Sequence, residues 1–198
     1  MACVLTGIAL VAGAALAFVN EMTKGTIQEL KEKSEKAAIA QVLGGNDVNV
    51  QQVDTVSFND CKFVVMNAGD KGVAVKSVDP QKASFGGGLT IMVGIDPNGS
   101  VLGYSILETN ETPGLGAKAA QWFQKGEKGD IIGRNLTDGE LTVSKDGGDV
   151  DAITASTITS RAFLRAVNAA YKAYHQTLAV EENNTDGISG ASQQNNIK

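Results

Sequence analysis

Charge is missing from the start of the chain: no Asp, Glu, Lys, Arg or His precedes Glu21. Histidine is nearly missing throughout. The single one, His175, sits between Tyr174 and Gln176 in a helical stretch, where it reads as a helix-surface residue. A Ser-His-Asp triad or a histidine metal site needs partners oriented around the ring, so neither is a credible basis for function. Only two cysteines occur, Cys3 and Cys61, with no C-x-x-C spacing for zinc or an iron–sulfur cluster. They are too unlike in setting to suggest a disulfide, and Cys3 lies ahead of the apolar run that a lipoprotein cysteine would follow. No basic run stands out and the formal net charge is -5, which argues against nucleic acid as a partner. No G-x-G-x-x-G follows a strand pattern, so a dinucleotide fold is also excluded. What is present is a chain of 198 residues, 42% hydrophobic, with 23 glycines. That suffices for one packed domain with many turns plus a membrane anchor.

The uncharged run of residues 1–20 would span about 30 Å as a helix, the thickness of a bilayer core. The competing reading is a cleaved signal peptide, since Ala15-Leu16-Ala17 forms a small-x-small pattern. A signal peptide begins with a positive region, and none is present, which favours a retained transmembrane anchor. Lys24, Lys31, Lys33 and Lys36 follow the span and by the positive-inside tendency would put the domain in the cytoplasm. Residues 21–46 read as a helical connector. From Thr26 to Val42, Ile27, Leu30, Ala37 or Ala38, and Val42 share one face, and Gly44-Gly45-Asn46-Asp47 stops it.

Residues 47–180 form the expected domain. Strand-like stretches cover Lys62 to Met66, Gly72 to Val78, Leu89 to Ile95 and Val101 to Leu107. Asp96-Pro97-Asn98-Gly99 is a hairpin signal between the last two. Ala117 to Phe123 suggests a short helix. From Ser160 onward Phe163, Leu164, Val167, Tyr171, Tyr174 and Leu178 recur at helical spacing. This order predicts an α+β fold, a mainly antiparallel twisted sheet with flanking helices, preceded by one N-terminal transmembrane helix. Residues 181–198 are polar and read as a disordered tail.

Two motifs carry chemistry. Asp151 to Ser160 reads D-A-I-T-A-S-T-I-T-S and leads into the final helix. A row of hydroxyls at a helix N-terminus suits an anion, because free amides and the helix dipole face it. The plainer reading makes Thr159 or Ser160 an N-cap. Upstream, Glu111 to Gly116 reads E-T-P-G-L-G. Pro113 fixes one backbone angle and the glycines permit positive φ, giving a rigid turn with exposed amides and an apolar contact at Leu115. Its plainer reading is an ordinary β-to-α connection.

Taken together, the two motifs resemble the FMN-binding domain of the G subunit of the Rnf complex and the C subunit of the sodium-translocating NADH:quinone reductase. F-G-G-G-L-T-I-M-V-G-I-D (Phe85 to Asp96) and V-S-K-D-G-G-D-V-D (Val143 to Asp151) extend the resemblance over most of the chain. In that family FMN is esterified through its phosphate to the alcohol that directly follows G-A in a pattern close to D-x-x-[ST]-G-A-[TS]-x-[ST]. The resemblance implies Asp151 as the motif acid, Thr154 as the first alcohol and Thr157 as the covalent acceptor. Ala155 stands where the pattern has glycine and Ser156 where it has alanine. Thr112, Leu115 and Gly116 would pack against the isoalloxazine, with Lys118, Lys145, Ser156, Ile158 and Thr159 also among the FMN-binding residues. The tail segment D-G-I-S-G-A-S, Asp186 to Ser192, fits the pattern more strictly and makes Ser192 a possible second attachment point, though no helix or domain follows it.

The function implied is that of a redox-carrying subunit in a membrane-bound, ion-translocating ferredoxin:NAD oxidoreductase. Neither a complete NAD site nor a ferredoxin site lies on this chain. Implied partners are the other membrane subunits and a flavin transferase that modifies Thr157. The implied location is the bacterial inner membrane, single-pass, with the domain on the periplasmic side, against the lysine flank; a basic leader ahead of Met1 would reconcile the two. The alternatives are the C subunit of the quinone reductase, a free-standing extracellular flavoprotein, or a membrane-anchored scaffold without flavin.

Overall fold

The structure, a computed structural model, describes residues 2–45 and 48–189, the stretch 181–189 by its helical backbone alone. The chain divides into two units, residues 1–37 and 38–198. The first belongs to helix α1 (Ala2–Val42), which continues without a break through the expected anchor and connector. It is long and apolar enough to cross a membrane. Its large apolar side chains as far as Leu30, among them Leu5, Ile8, Leu10, Val11, Leu16 and Phe18, are exposed. Such an apolar surface needs a non-aqueous neighbour.

The second unit is built on an antiparallel meander of β1 (Gln52–Phe58), β2 (Cys61–Asn67), β3 (Val73–Val78), β4 (Leu89–Ile95) and β5 (Val101–Thr109), lying side by side in chain order. Side chains alternate between faces at every residue, and the register turns this into two apolar surfaces. On one face Val65, Val75, Val93 and Tyr104 stand in a row across four strands. Helix α3 (Thr157–Ser189) covers that row with Phe163, Val167 and a stripe of alanines at 162, 166, 169, 170 and 173. The small stripe lets the helix lie close. Ser77, a polar residue inside this layer, is satisfied by donating to the Ala166 carbonyl at 2.6 Å. Tyr104 is pinned likewise, its hydroxyl donating to the Ala119 carbonyl at 2.6 Å.

On the other face Met66, Ala74 and Met92 pack against Ala38, Val42 and Leu43. Gly94 and Gly103 are register partners beneath Val42. A side chain on Gly94 would overlap the Val42 carbonyl, so this close approach requires glycine there. The end of α1 therefore belongs with the sheet, in the unit that begins at Ala38.

The four expected strands, the Asp96–Gly99 turn and the short helix at Ala119–Trp122 (α2) are all present. Three features differ from expectation. Strand β1 was not foreseen, because its residues are polar and mostly exposed at the sheet edge. Helix α3 begins at Thr157, not Ser160, and it extends beyond Glu181 to Ser189. No proline interrupts it, and glycine is absent until Gly187, so the helix propagates residue by residue. The rest of the tail, with Ser192, lies outside the described residues.

Candidate functional site

Three segments converge on a cleft of about 370 Å³. Phe85 comes from the loop between β3 and β4; Glu111, Thr112, Leu115 and Gly116 come from the turn after β5; residues 155–159 come from the start of α3. The volume falls in the range of small-molecule sites. A larger groove of about 610 Å³ lies between β1 and the C-terminal part of α3, but it is lined by neither motif.

The start of α3 explains the motif. Ala155 adopts a left-handed backbone, φ 61°, at the position where the family pattern has glycine. That bend turns the chain into the helix. The Ser160 amide donates to the Ser156 carbonyl at 3.1 Å, so Ser156 holds the N-cap position and Thr157 is the first helical residue. Thr159 and Ser160, expected as caps, lie inside the first turn and are fully buried. Their hydroxyls serve the fold instead. Ser160 Oγ accepts from the Ile153 amide at 2.9 Å and donates to the Ser156 carbonyl at 3.0 Å.

Thr157 is half-buried, and its Oγ1 accepts from Lys145 Nζ at 3.4 Å. Lys145 sits in a tight 3-10 turn, Ser144–Asp146, closed by Gly147 at φ 88°. A bidentate pair, Arg161 Nε and Nη2 to the two Asp146 carboxylate oxygens at 2.6 Å each, ties that turn to α3. The Arg161 hydrogen bond holds the Asp146 carboxyl below its ordinary range. A lysine ammonium thus stands beside a hydroxyl on the first residue of a helix, and a helix N-terminus, whose first amides have no intrahelical acceptor, suits a phosphate.

Glu111 joins the three segments. It is buried, its Oε1 accepts from the Gly86 amide at 3.2 Å, and its Oε2 accepts from Thr159 Oγ1 at 2.9 Å. Ser156 Oγ donates in turn to Thr159 Oγ1 at 3.0 Å. Gly116 passes so close that a Cβ there would overlap the Glu111 carboxylate. This is the physical reason for glycine at the end of E-T-P-G-L-G.

Of the residues expected at the site, Thr112, Leu115, Gly116, Ser156, Thr157, Ile158 and Thr159 line the cleft, and Lys145 reaches it through Thr157. Three do not. Asp151 braces the loop, its Oδ1 accepting from Ser144 Oγ at 3.0 Å and its carbonyl from Trp122 Nε1 at 2.8 Å. Thr154 and Lys118 are exposed outside the cleft lining. Phe85, Glu111 and Ala155 line it unforeseen. Glu111 was visible as the first residue of E-T-P-G-L-G and Phe85 as the first residue of the glycine-rich segment, neither with a role at the site.

The cleft thus combines an apolar rim at Phe85, Leu115 and Ile158 with a hydroxyl–lysine corner suited to an anion. Comparison with known proteins gives the family. Residues 84–172 match the family described as FMN-binding domain. The chain is 31% identical over 180 residues to the G subunit of the ion-translocating oxidoreductase complex of Shewanella amazonensis, covering 83% of this chain and 82% of that one. It is 33% identical over 177 residues to the Escherichia coli K12 protein of that name, with 83% and 84% covered. With the Cronobacter sakazakii protein, also so named, identity is 35% over 174 residues, with 82% of each covered.

Proposed function

The chain belongs to the family of G subunits of ion-translocating oxidoreductase complexes, and from that premise we propose that it is an electron-carrying membrane subunit with FMN esterified to Thr157. The observation that carries this reading is the setting of Thr157. Its hydroxyl stands at the first turn of α3, beside Lys145 and after the left-handed Ala155. Bound FMN would supply the redox chemistry, accepting and releasing electrons; the protein supplies placement and electrostatics. Lys145 and the α3 amides neutralise the phosphate. Thr112, Leu115 and Gly116 border the slot for the ring, and Glu111 fixes the distance between its walls.

Thr157 is in this reading the substrate of a separate flavin transferase, and the chain works within an Rnf-type complex that passes electrons between ferredoxin and NAD while moving ions. Helix α1 anchors it in the bacterial inner membrane with residues 38–198 on the periplasmic side. A reporter fused after Lys198 that is active only in the cytoplasm overturns that orientation.

Intact mass after co-expression with a flavin transferase tests the attachment. The wild-type chain gains the mass of one FMN less one water and gives a fluorescent band on a denaturing gel. Thr157→Ala gives neither. Full flavin mass on Thr157→Ala, mapped elsewhere than Ser192, sinks the assignment.

A further inference from the structure

Phe85 is 74% exposed, whereas Phe58, Phe63, Phe123 and Phe163 of the same unit are half-buried or buried. A phenyl ring left in water forgoes the favourable transfer that buries the others. Loop mobility does not account for it, because the backbone beside Phe85 is fixed. The Gly86 amide donates to Glu111 Oε1, and a Cβ on Gly86 would overlap the Asn110 carbonyl. Gly87, at φ 74°, closes a turn by donating to the Ser84 carbonyl at 3.0 Å. The chain is held where it presents a bare ring to the cleft.

Two further exposed apolar side chains line the same cleft, Leu115 at 43% and Ile158 at 51%. The three come from three separate segments and converge around Thr157, instead of spreading over one flat face. A flat aromatic occupant tethered at Thr157 would lie among them. The geometry points to Phe85 as the side chain that covers the isoalloxazine and excludes water from it. This rests on the reading of the cleft as the flavin site. Aromatic rings of this kind pack in offset or edge-on arrangements. Covering the ring shields it from solvent between electron transfers, while the fixed loop keeps the cover in place.

The full chain, loaded by a flavin transferase and solubilised in detergent, is first checked by intact mass for one FMN per chain. Flavin fluorescence and its quenching by iodide are then measured. At equal loading Phe85→Trp quenches the flavin emission several-fold, because an indole in contact with an excited flavin donates an electron to it. Phe85→Ala raises the iodide quenching constant several-fold. Leu102→Trp, at an exposed site on β5 outside the cleft lining, retains wild-type emission. Loaded Phe85 variants with unchanged emission and unchanged iodide access overturn the assignment and leave the ring free for a partner protein. A wild-type chain that acquires no FMN overturns the reading of the cleft as well, and the mass alone distinguishes that failure from the first.

Discussion

Thr159 Oγ1 donates to Glu111 Oε2 at 2.9 Å, joining the first turn of α3 to a turn 48 residues upstream. Thr159 is fully buried and Glu111 nearly so, hence neither group can turn to water if the other is lost. Replacing Thr159 by isosteric Val leaves Glu111 Oε2 without its hydroxyl donor and Ser156 Oγ without its acceptor. A buried polar group stripped of its partner costs about 1–3 kcal/mol. Urea denaturation of the Thr159→Val protein should show a loss in that range, whereas flavin attachment at Thr157 should survive. A stability change within error of zero means the bond adds nothing.

Ala155→Gly should stabilise the protein. The left-handed backbone at φ 61° costs a non-glycine residue about 1–2 kcal/mol. Glycine removes that cost but adds about 0.4–1 kcal/mol of unfolded-state entropy. The net expectation is a gain of roughly 0.5–1 kcal/mol, read as a raised Tm. A lowered Tm means the methyl group makes a contact worth more than the strain.

Acid should weaken the fold through Asp79. This carboxylate is buried and accepts from Arg165 Nε and Nη2 at 2.8 Å each, and from the Gln81 and Ala83 amides. Burial pushes its carboxyl up, but the Arg165 hydrogen bond and the two amides outweigh that and leave it below its ordinary value. With the folded value the lower, the stabilisation is complete above about pH 4, the unfolded range. It is lost as pH falls through the folded value. Asp79→Asn should therefore flatten the acid limb of a stability–pH curve. An unaltered slope below pH 4 places the acid sensitivity elsewhere.

The inner strands could be read from sequence because a near-continuous apolar run, as in Leu89 to Ile95, reports burial on both faces. Strand β1 could not: Gln52, Asp54, Thr55 and Ser57 look like a loop until the sheet edge pairs their backbone. The site was legible as two motifs and no further. Thr159 and Ser160 read as alternative caps, and only the left-handed Ala155 fixes which residue starts the helix. Asp151 and Thr154 were carried over from a pattern that records spacing, not direction, and the structure turns them away from the cleft lining. Glu111 depends on a partner far along the chain, and Phe85 on how the loop is held, neither of which local sequence encodes.

The two attachment motifs make opposite predictions. The segment ending at Ser192 has the stricter consensus; the segment ending at Thr157 has the cleft, the lysine and the helix start. A transferase that reads a short peptide alone would favour Ser192, whereas one that needs phosphate placed at a helix N-terminus would favour Thr157. A chain ending at Ser189 separates them, since it keeps every described element and removes Ser192. It should load close to one FMN per chain, and peptide mapping of the full-length protein should find flavin on Thr157 with little on Ser192. Loss of most bound flavin from the shortened chain would transfer the attachment site to the tail.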